Sequence, residues 1–175
     1  MAAYQFAGTR RLGRIGTLAF EADPTHSHWH LRPFEDYQLR ELGSGALVAV
    51  VHKIGFCLTD SQPLPGAGPR GHGAFCGRDR PDLLKLGEGI SPGWTDVYGP
   101  EREGQFVDVT DVPAGRYLLV NRVNAARAIR ETRYDDDVAA TAFDLQWPDG
   151  PGATPAVTVI GTCTGAATCA TLGIP

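Results

Sequence analysis

The sequence predicts an all-β domain, sandwich-like, with long loops and little helix. Three observations lead there. Gly (22) and Pro (13) are both used above the average for a chain of 175 residues, which favours many turns. Stretches with apolar residues at helical spacing are scarce. The apolar segments that do occur are short, alternate with period two or are rich in β-branched residues, and end in Gly, Pro or charge, as strands do.

Taken in order, residues 3–7 and 13–21 read as two strands around a Gly/Arg-rich turn, with Ile15, Leu18 and Phe20 as core candidates. Pro24 then breaks the chain. Phe34 to Leu42 alternates and carries Tyr37 and Leu39 inward. Leu47 to Leu58 is the most apolar segment and predicts one buried strand. Period two sets Lys53 on a face with Leu47, Ala49, Val51, Gly55 and Cys57. Residues 59–80 form a long Pro/Gly-rich loop, of the kind that is functional or held by a staple. Pro81 to Leu86 reads as a single helical turn, and Gly87 to Gly104 as a second loop. Phe106–Val109 and Arg116–Val123 predict a strand pair, followed by strands at Ala139–Trp147 and Val157–Ile160. No repeat and no second domain is visible, so residues 1–175 read as a single domain, with 148–175 as a C-terminal extension.

Charge and cysteine usage narrow the function. The net charge of −4 and pI near 5.7 give no bulk attraction for nucleic acid. No apolar run reaches the length of a membrane span. Four cysteines, at 57, 76, 163 and 169, fit two disulfides in an oxidising compartment, paired in order as Cys57–Cys76 and Cys163–Cys169. Closing the first loop is worth roughly 3 kcal/mol in the chain-entropy model. The start, Met-Ala-Ala-Tyr-Gln-Phe, has no apolar signal region. The cysteines favour a secreted or extracellular protein whose leader lies outside this sequence.

The chemistry gathers at Thr25-His26-Ser27-His28-Trp29-His30, which holds three of the five histidines. On an extended segment the i, i+2, i+4 spacing points all three imidazoles to one face, a site for copper or zinc. The alternative is a His-rich strand face with no metal. A flat strand would separate His26 and His30 by ~13 Å, so sharing one ion requires the segment to curl, bulge or twist.

Four ordered stretches then match a known family. His26-x-His28-x-His30, with Phe34 and Tyr37 following, resembles the copper motif of lysyl oxidases, the bacterial members in particular. His52-Lys53-Ile54-Gly55-Phe56-Cys57-Leu58 is similar to the family's His-Lys-x-x-Phe-Cys-Leu segment. Ser91-Pro92-Gly93-Trp94-Thr95-Asp96-Val97-Tyr98 is similar to its Ser-Pro-Gly-x-x-Asp-x-Tyr segment. Val107-Asp108-Val109-Thr110-Asp111 through Gly115-Arg116-Tyr117 is similar to its Ile-Asp-Ile-Thr-Asp-x-x-x-Gly-x-Tyr stretch.

The resemblance covers roughly residues 10–147. It implies copper on His26, His28 and His30, and a lysine tyrosylquinone cofactor made from Lys53 and Tyr98. The implied activity is oxidation of a primary amine, on a protein lysine or a small molecule, to an aldehyde. Molecular oxygen is the acceptor, and hydrogen peroxide and ammonia are released. Asp96, two residues before Tyr98, is the candidate catalytic base. The rival reading is a copper-binding extracellular β-domain with no quinone. Calcium is the weakest expectation. Some relatives hold it on Glu-x-Asp-x-x-Asn-Asn, but here Glu131 is followed by Arg133 where the Asp would stand and by Asp136 and Asp137 for the two Asn. An arginine among the ligands favours a solvated acidic turn. The family's strands ahead of the matched region are short or missing here.

Overall fold

Arg10–Glu21 forms the longest strand among the described residues of the computed structural model, which are 1–22, 27–52, 55–73, 75–100 and 106–172. His26 and Lys53 lie outside them. The strands are β1 (Ala2–Ala7), β2 (Arg10–Glu21), β3 (His28–Arg32), β4 (Glu35–Glu41), β5 (Leu47–His52), β6 (Gln62–Pro63), β7 (Trp94–Thr95), β8 (Gly115–Val123), β9 (Val138–Gln146) and β10 (Ala156–Thr164). One four-residue helix, α1 (Ala166–Cys169), and a short 3-10 turn (Ala170–Leu172) follow. All pairings of named strands are antiparallel, and the all-β prediction holds. No helix among the described residues is long and apolar enough to cross a membrane.

The chain divides into two compact units. The first comprises Met1–Phe34 and Ile54–Gln105, the second Glu35–Lys53 and Phe106–Pro175. In the first unit β2 lies between β1 and β3. Its register with β3 is unbroken from Thr17↔Arg32 to Glu21↔His28. Ile15, Leu18 and Phe20 are half-buried there. The β6–β7 ribbon ties Gln62 to Thr95 and Pro63 to Trp94, giving the two expected long loops a short strand each.

The second unit is a five-stranded sheet in the order β10-β9-β8-β4-β5. Period two places Leu118 and Val120 of β8 with Val138, Ala140 and Ala142 of β9 in one buried cluster, closed by Cys163 and Cys169. The intervening positions, Tyr117, Phe143 and Leu145, join Leu39 in a second cluster on the other face. Full burial of side chains such as Leu118 and Leu145 is worth roughly 1.5–3 kcal/mol each. Both faces of the central strands are thus apolar and covered.

Three expectations are corrected. Leu47 to Leu58 is not one buried strand. β5 ends at His52, and among the described residues that follow to Leu58 only Phe56 resumes pairing, as a single bridge to Leu31. β5 is also the sheet edge, with Leu47, Val48 and Val50 exposed. Apolar β-branched residues suit a strand, but they do not say whether a second strand lies beyond it. Phe106–Val109 is not a strand; Val107 and Val109 pack as loop residues against the second cluster. Pro81–Leu86 makes a turn and no helix. Both disulfides form as read from the cysteine order, Cys57–Cys76 and Cys163–Cys169.

Candidate metal and cofactor site

β3 carries the histidines. Along it, Trp29 and Leu31 alternate with His28 and His30. Trp29 and Leu31 are buried. The Trp29 ring meets Phe20 edge-on at 5.5 Å, and its Nε1–H donates to the Arg80 carbonyl at 2.9 Å. That anchoring fixes the strand's rotation and sends both imidazoles to the opposite face. Their Nε2 atoms stand 2.8 Å apart, with ring centroids 4.5 Å apart. With metal–nitrogen bonds of about 2.0–2.1 Å, two ligands at a right angle on one ion sit roughly 2.9 Å apart. The separation in β3 matches that spacing, so the pair fits a shared metal. No bulge interrupts the described part of the strand; the side chains converge on a regular backbone. Glu21 lies near the other side of His30, Oε1 to Nδ1 3.8 Å, and is ion-paired with Arg32. Among the described residues no group of three metal-ligating side chains gathers.

The outer edge of β3 is covered by two pieces of chain. Leu31 and Phe56 exchange backbone hydrogen bonds, Leu31 N–H to the Phe56 carbonyl at 2.8 Å and the reverse at 3.2 Å. Trp29 N–H donates to the Cys76 carbonyl at 2.9 Å. The Cys57–Cys76 disulfide staples the two pieces together. Gly55, at φ 154°, allows the close approach, because a Cβ there would come within 2.7 Å of His30 Cβ. Gly77, at φ 62°, does the same beneath the Trp29 ring.

Residues 56–60 are the hub of the site. The Phe56 ring packs against Phe34 at 5.4 Å and meets Tyr98 edge-on at 4.9 Å. The Tyr98 hydroxyl donates to the Cys57 carbonyl at 2.9 Å. Asp96 Oδ2 accepts the Thr59 N–H at 3.1 Å. In an extended segment the Cys57 carbonyl and Thr59 N–H point to one edge, so Tyr98 and Asp96 dock side by side. The other edge takes residues 88–89, with Gly89 N–H on the Leu58 carbonyl at 3.2 Å and Glu88 Oε2 near Leu58 N at 3.4 Å.

Asp60 completes the hub. It is fully buried and accepts from Gly71 N, His72 N, Ser91 N and Ser91 Oγ at 2.6–2.9 Å. Desolvation opposes its charge, but these four donors win and hold the carboxyl far below the usual range. One buried carboxylate therefore ties the Ser91-Pro92-Gly93 segment to the long loop. Glu88 behaves in the opposite way: burial pushes its carboxyl up to about 8.

Of the expected site residues, His28, His30, Asp96 and Tyr98 fall in the first unit, and Asp96 and Tyr98 share one docking edge. His26 and Lys53 lie outside the described residues. His72 is engaged through its backbone by Asp60, with its ring against Gly89. Sequence reasoning missed Asp60 and Glu88. Asp60 carried one signal, an acid just after the Phe-Cys-Leu segment at the start of a Pro/Gly-rich loop. Arg133, in the second unit, bonds Asp135 at 3.1 Å and pairs with Asp136 at 3.5 Å.

The chain was compared with known proteins. A family model for lysyl oxidase matches residues 12–148. Protein-lysine 6-oxidase of Homo sapiens is 31% identical over 121 residues, 69% of this chain and 27% of that protein. Lysyl oxidase homolog 1 of Homo sapiens is 32% identical over 114 residues, 65% of this chain and 18% of that protein. Lysyl oxidase homolog 2A of Danio rerio is 32% identical over 126 residues, 71% and 16%. The chain thus spans about a quarter or less of these relatives' length.

Proposed function

The chain belongs to the lysyl oxidase family, and from that premise we propose that it is a copper-dependent amine oxidase. It would convert a primary amine, oxygen and water to an aldehyde, ammonia and hydrogen peroxide. His26, His28 and His30 hold the copper, and Lys53 and Tyr98 join as the quinone. The catalytic unit is the single lysyl-oxidase-like domain, acting outside the cell, where its two disulfides persist.

The observation that carries this reading is the convergence of His28 and His30 within the unit that fixes Tyr98 and Asp96. Copper and the quinone supply the oxidising power that takes two electrons from the amine to oxygen. The chain's own residues do the rest. The Cys57 carbonyl and the Phe56 ring set the position of Tyr98. Asp96, held at its Oδ2 by Thr59 N–H, is the group that accepts the proton from the substrate's α-carbon. Asp60 is too deeply buried and too fully bonded to exchange protons; it holds the Ser91 segment that leads to Asp96 and Tyr98.

Peptide mass spectrometry after exposure to copper and oxygen tests the proposal. The expected result is a covalent Lys53–Tyr98 linkage, lost in Tyr98→Phe, together with amine-dependent peroxide. Stoichiometric copper binding with no linkage and no peroxide would overturn the oxidase and leave the metal-binding β-domain.

A further inference from the structure

The peptide group between Cys57 and Leu58 is engaged at both ends. Its carbonyl accepts the Tyr98 hydroxyl at 2.9 Å, and its N–H faces Glu88 Oε2 at 3.4 Å. The second Glu88 oxygen, Oε1, is buried and has no hydrogen-bond partner among the described residues. An amide is polarised as a unit through its resonance: negative charge at the N–H end makes the carbonyl oxygen a stronger acceptor. We propose that Glu88 is a positioning residue for Tyr98, acting through the Cys57–Leu58 peptide to set how strongly the Tyr98 hydroxyl is held. The proposal rests on Tyr98 being the cofactor tyrosine, whose hydroxyl is held at the Cys57 carbonyl.

Glu88 is built to change charge. Burial is the main reason its carboxyl stays neutral to about pH 8; the Leu58 N–H opposes this weakly, and the Asp96 carboxylate reinforces it. Among the described residues, the segment around it also meets His72, whose ring lies against Gly89, and Asp60, whose charge is bound by four donors. Neutral Glu88 leaves the Leu58 N–H weakly held and the Tyr98 hydroxyl on an ordinary carbonyl. Ionised Glu88 tightens both bonds in series. Tyr98 is therefore freer to leave its dock below that pH than above it.

The test uses metal-free protein carrying carbon-13 at the tyrosine Cζ, with the Tyr98 signal assigned by its loss in Tyr98→Phe. The Cζ shift reports hydrogen bonding at the hydroxyl directly. The expected wild-type titration has an inflection near pH 8, well short of full phenol ionisation. Glu88→Gln, which keeps the shape and removes the charge, loses the inflection. Asp96→Asn keeps it at a lower midpoint, because a like charge near Glu88 is gone. A merely structural Glu88 would displace the Tyr98 signal by the same amount at every pH. If Glu88→Gln fails to fold by circular dichroism, Glu88→Asp, too short to reach Leu58, must lose the inflection instead. A flat wild-type titration, or an inflection that survives in the Glu88 variant, overturns the proposal. Neither metal nor quinone is needed, so a failure here is separate from a failure of cross-linking.

Discussion

Single residues decide how closely the pieces of this site approach. The tight point is Gly55, where a Cβ would meet His30 Cβ at 2.7 Å, Arg32 Cγ at 2.9 Å and the Leu31 carbonyl oxygen at 2.9 Å. All three neighbours belong to residues inside a paired strand, so the clash falls on β3 itself. Gly55→Ala should cost about 1–3 kcal/mol in thermal denaturation through overpacking and a strained φ. It should also weaken copper binding in calorimetry, because His30 is the residue pushed. A variant as stable as wild type, with unchanged copper affinity, would contradict this packing. The same scale shows what could be read in advance. His28, His30, Asp96 and Tyr98 were legible because type and spacing mark them. Glu88 and Asp60 were not, because what distinguishes them is burial and donors contributed by residues 11–31 positions away. Nothing local to Glu88 tells a buried carboxyl from a surface one.

At the scale of elements, β-structure was legible in short stretches of strand-forming residues bounded by turn signals, as in β2, β4, β8 and β9. It failed at Phe106–Val109, where alternation serves loop packing, and along Leu47–Leu58, where Gly55 and the crossing between the two units break the run. The disulfides illustrate how similar elements differ in consequence. Cys57–Cys76 closes a separation of 19 residues and Cys163–Cys169 one of 6. Chain entropy alone predicts losses of about 3 and about 2 kcal/mol respectively when each pair is replaced by alanine. The first pair also links the carbonyl that holds Trp29 N–H to the one that holds Tyr98. Its removal should therefore lower copper affinity as well as stability, whereas removal of Cys163–Cys169, in the other unit, should lower stability alone. Urea denaturation and copper titration of the two double variants separate these outcomes. Equal effects on copper binding would show that the first disulfide does not frame the site.

For the whole molecule, the fold class was legible in composition and patterning, but the pairing of chain segments into units was not. The units interleave, Met1–Phe34 with Ile54–Gln105 and Glu35–Lys53 with Phe106–Pro175, so no linker composition marks the crossings. Stability against pH is a whole-molecule property that follows from the buried acids of both units. Glu88 is raised to about 8 by burial, and Glu131 to about 7 by burial and the neighbouring Asp137. A raised carboxyl means that the folded state binds the proton more tightly than the unfolded chain. The stability it contributes is complete below the unfolded value near 4.5 and is lost as pH rises through 7 and 8. Asp60 has the reverse sign: its folded value is depressed, so its contribution is present above an unfolded value near 3.8 and is lost as pH falls below it. The two trends cross in mildly acidic solution. Metal-free protein should therefore show its highest urea midpoint near pH 4.5–5.5, with a decline toward pH 8 and a steeper fall below pH 4. Glu88→Gln and Glu131→Gln together should flatten the alkaline decline, because neither glutamine can lose a proton. Asp60→Asn should flatten the acid limb, because the donors around it no longer favour a charge. A midpoint that climbs from pH 5 to pH 8 in wild type would mean that neither glutamate holds its proton in the folded state.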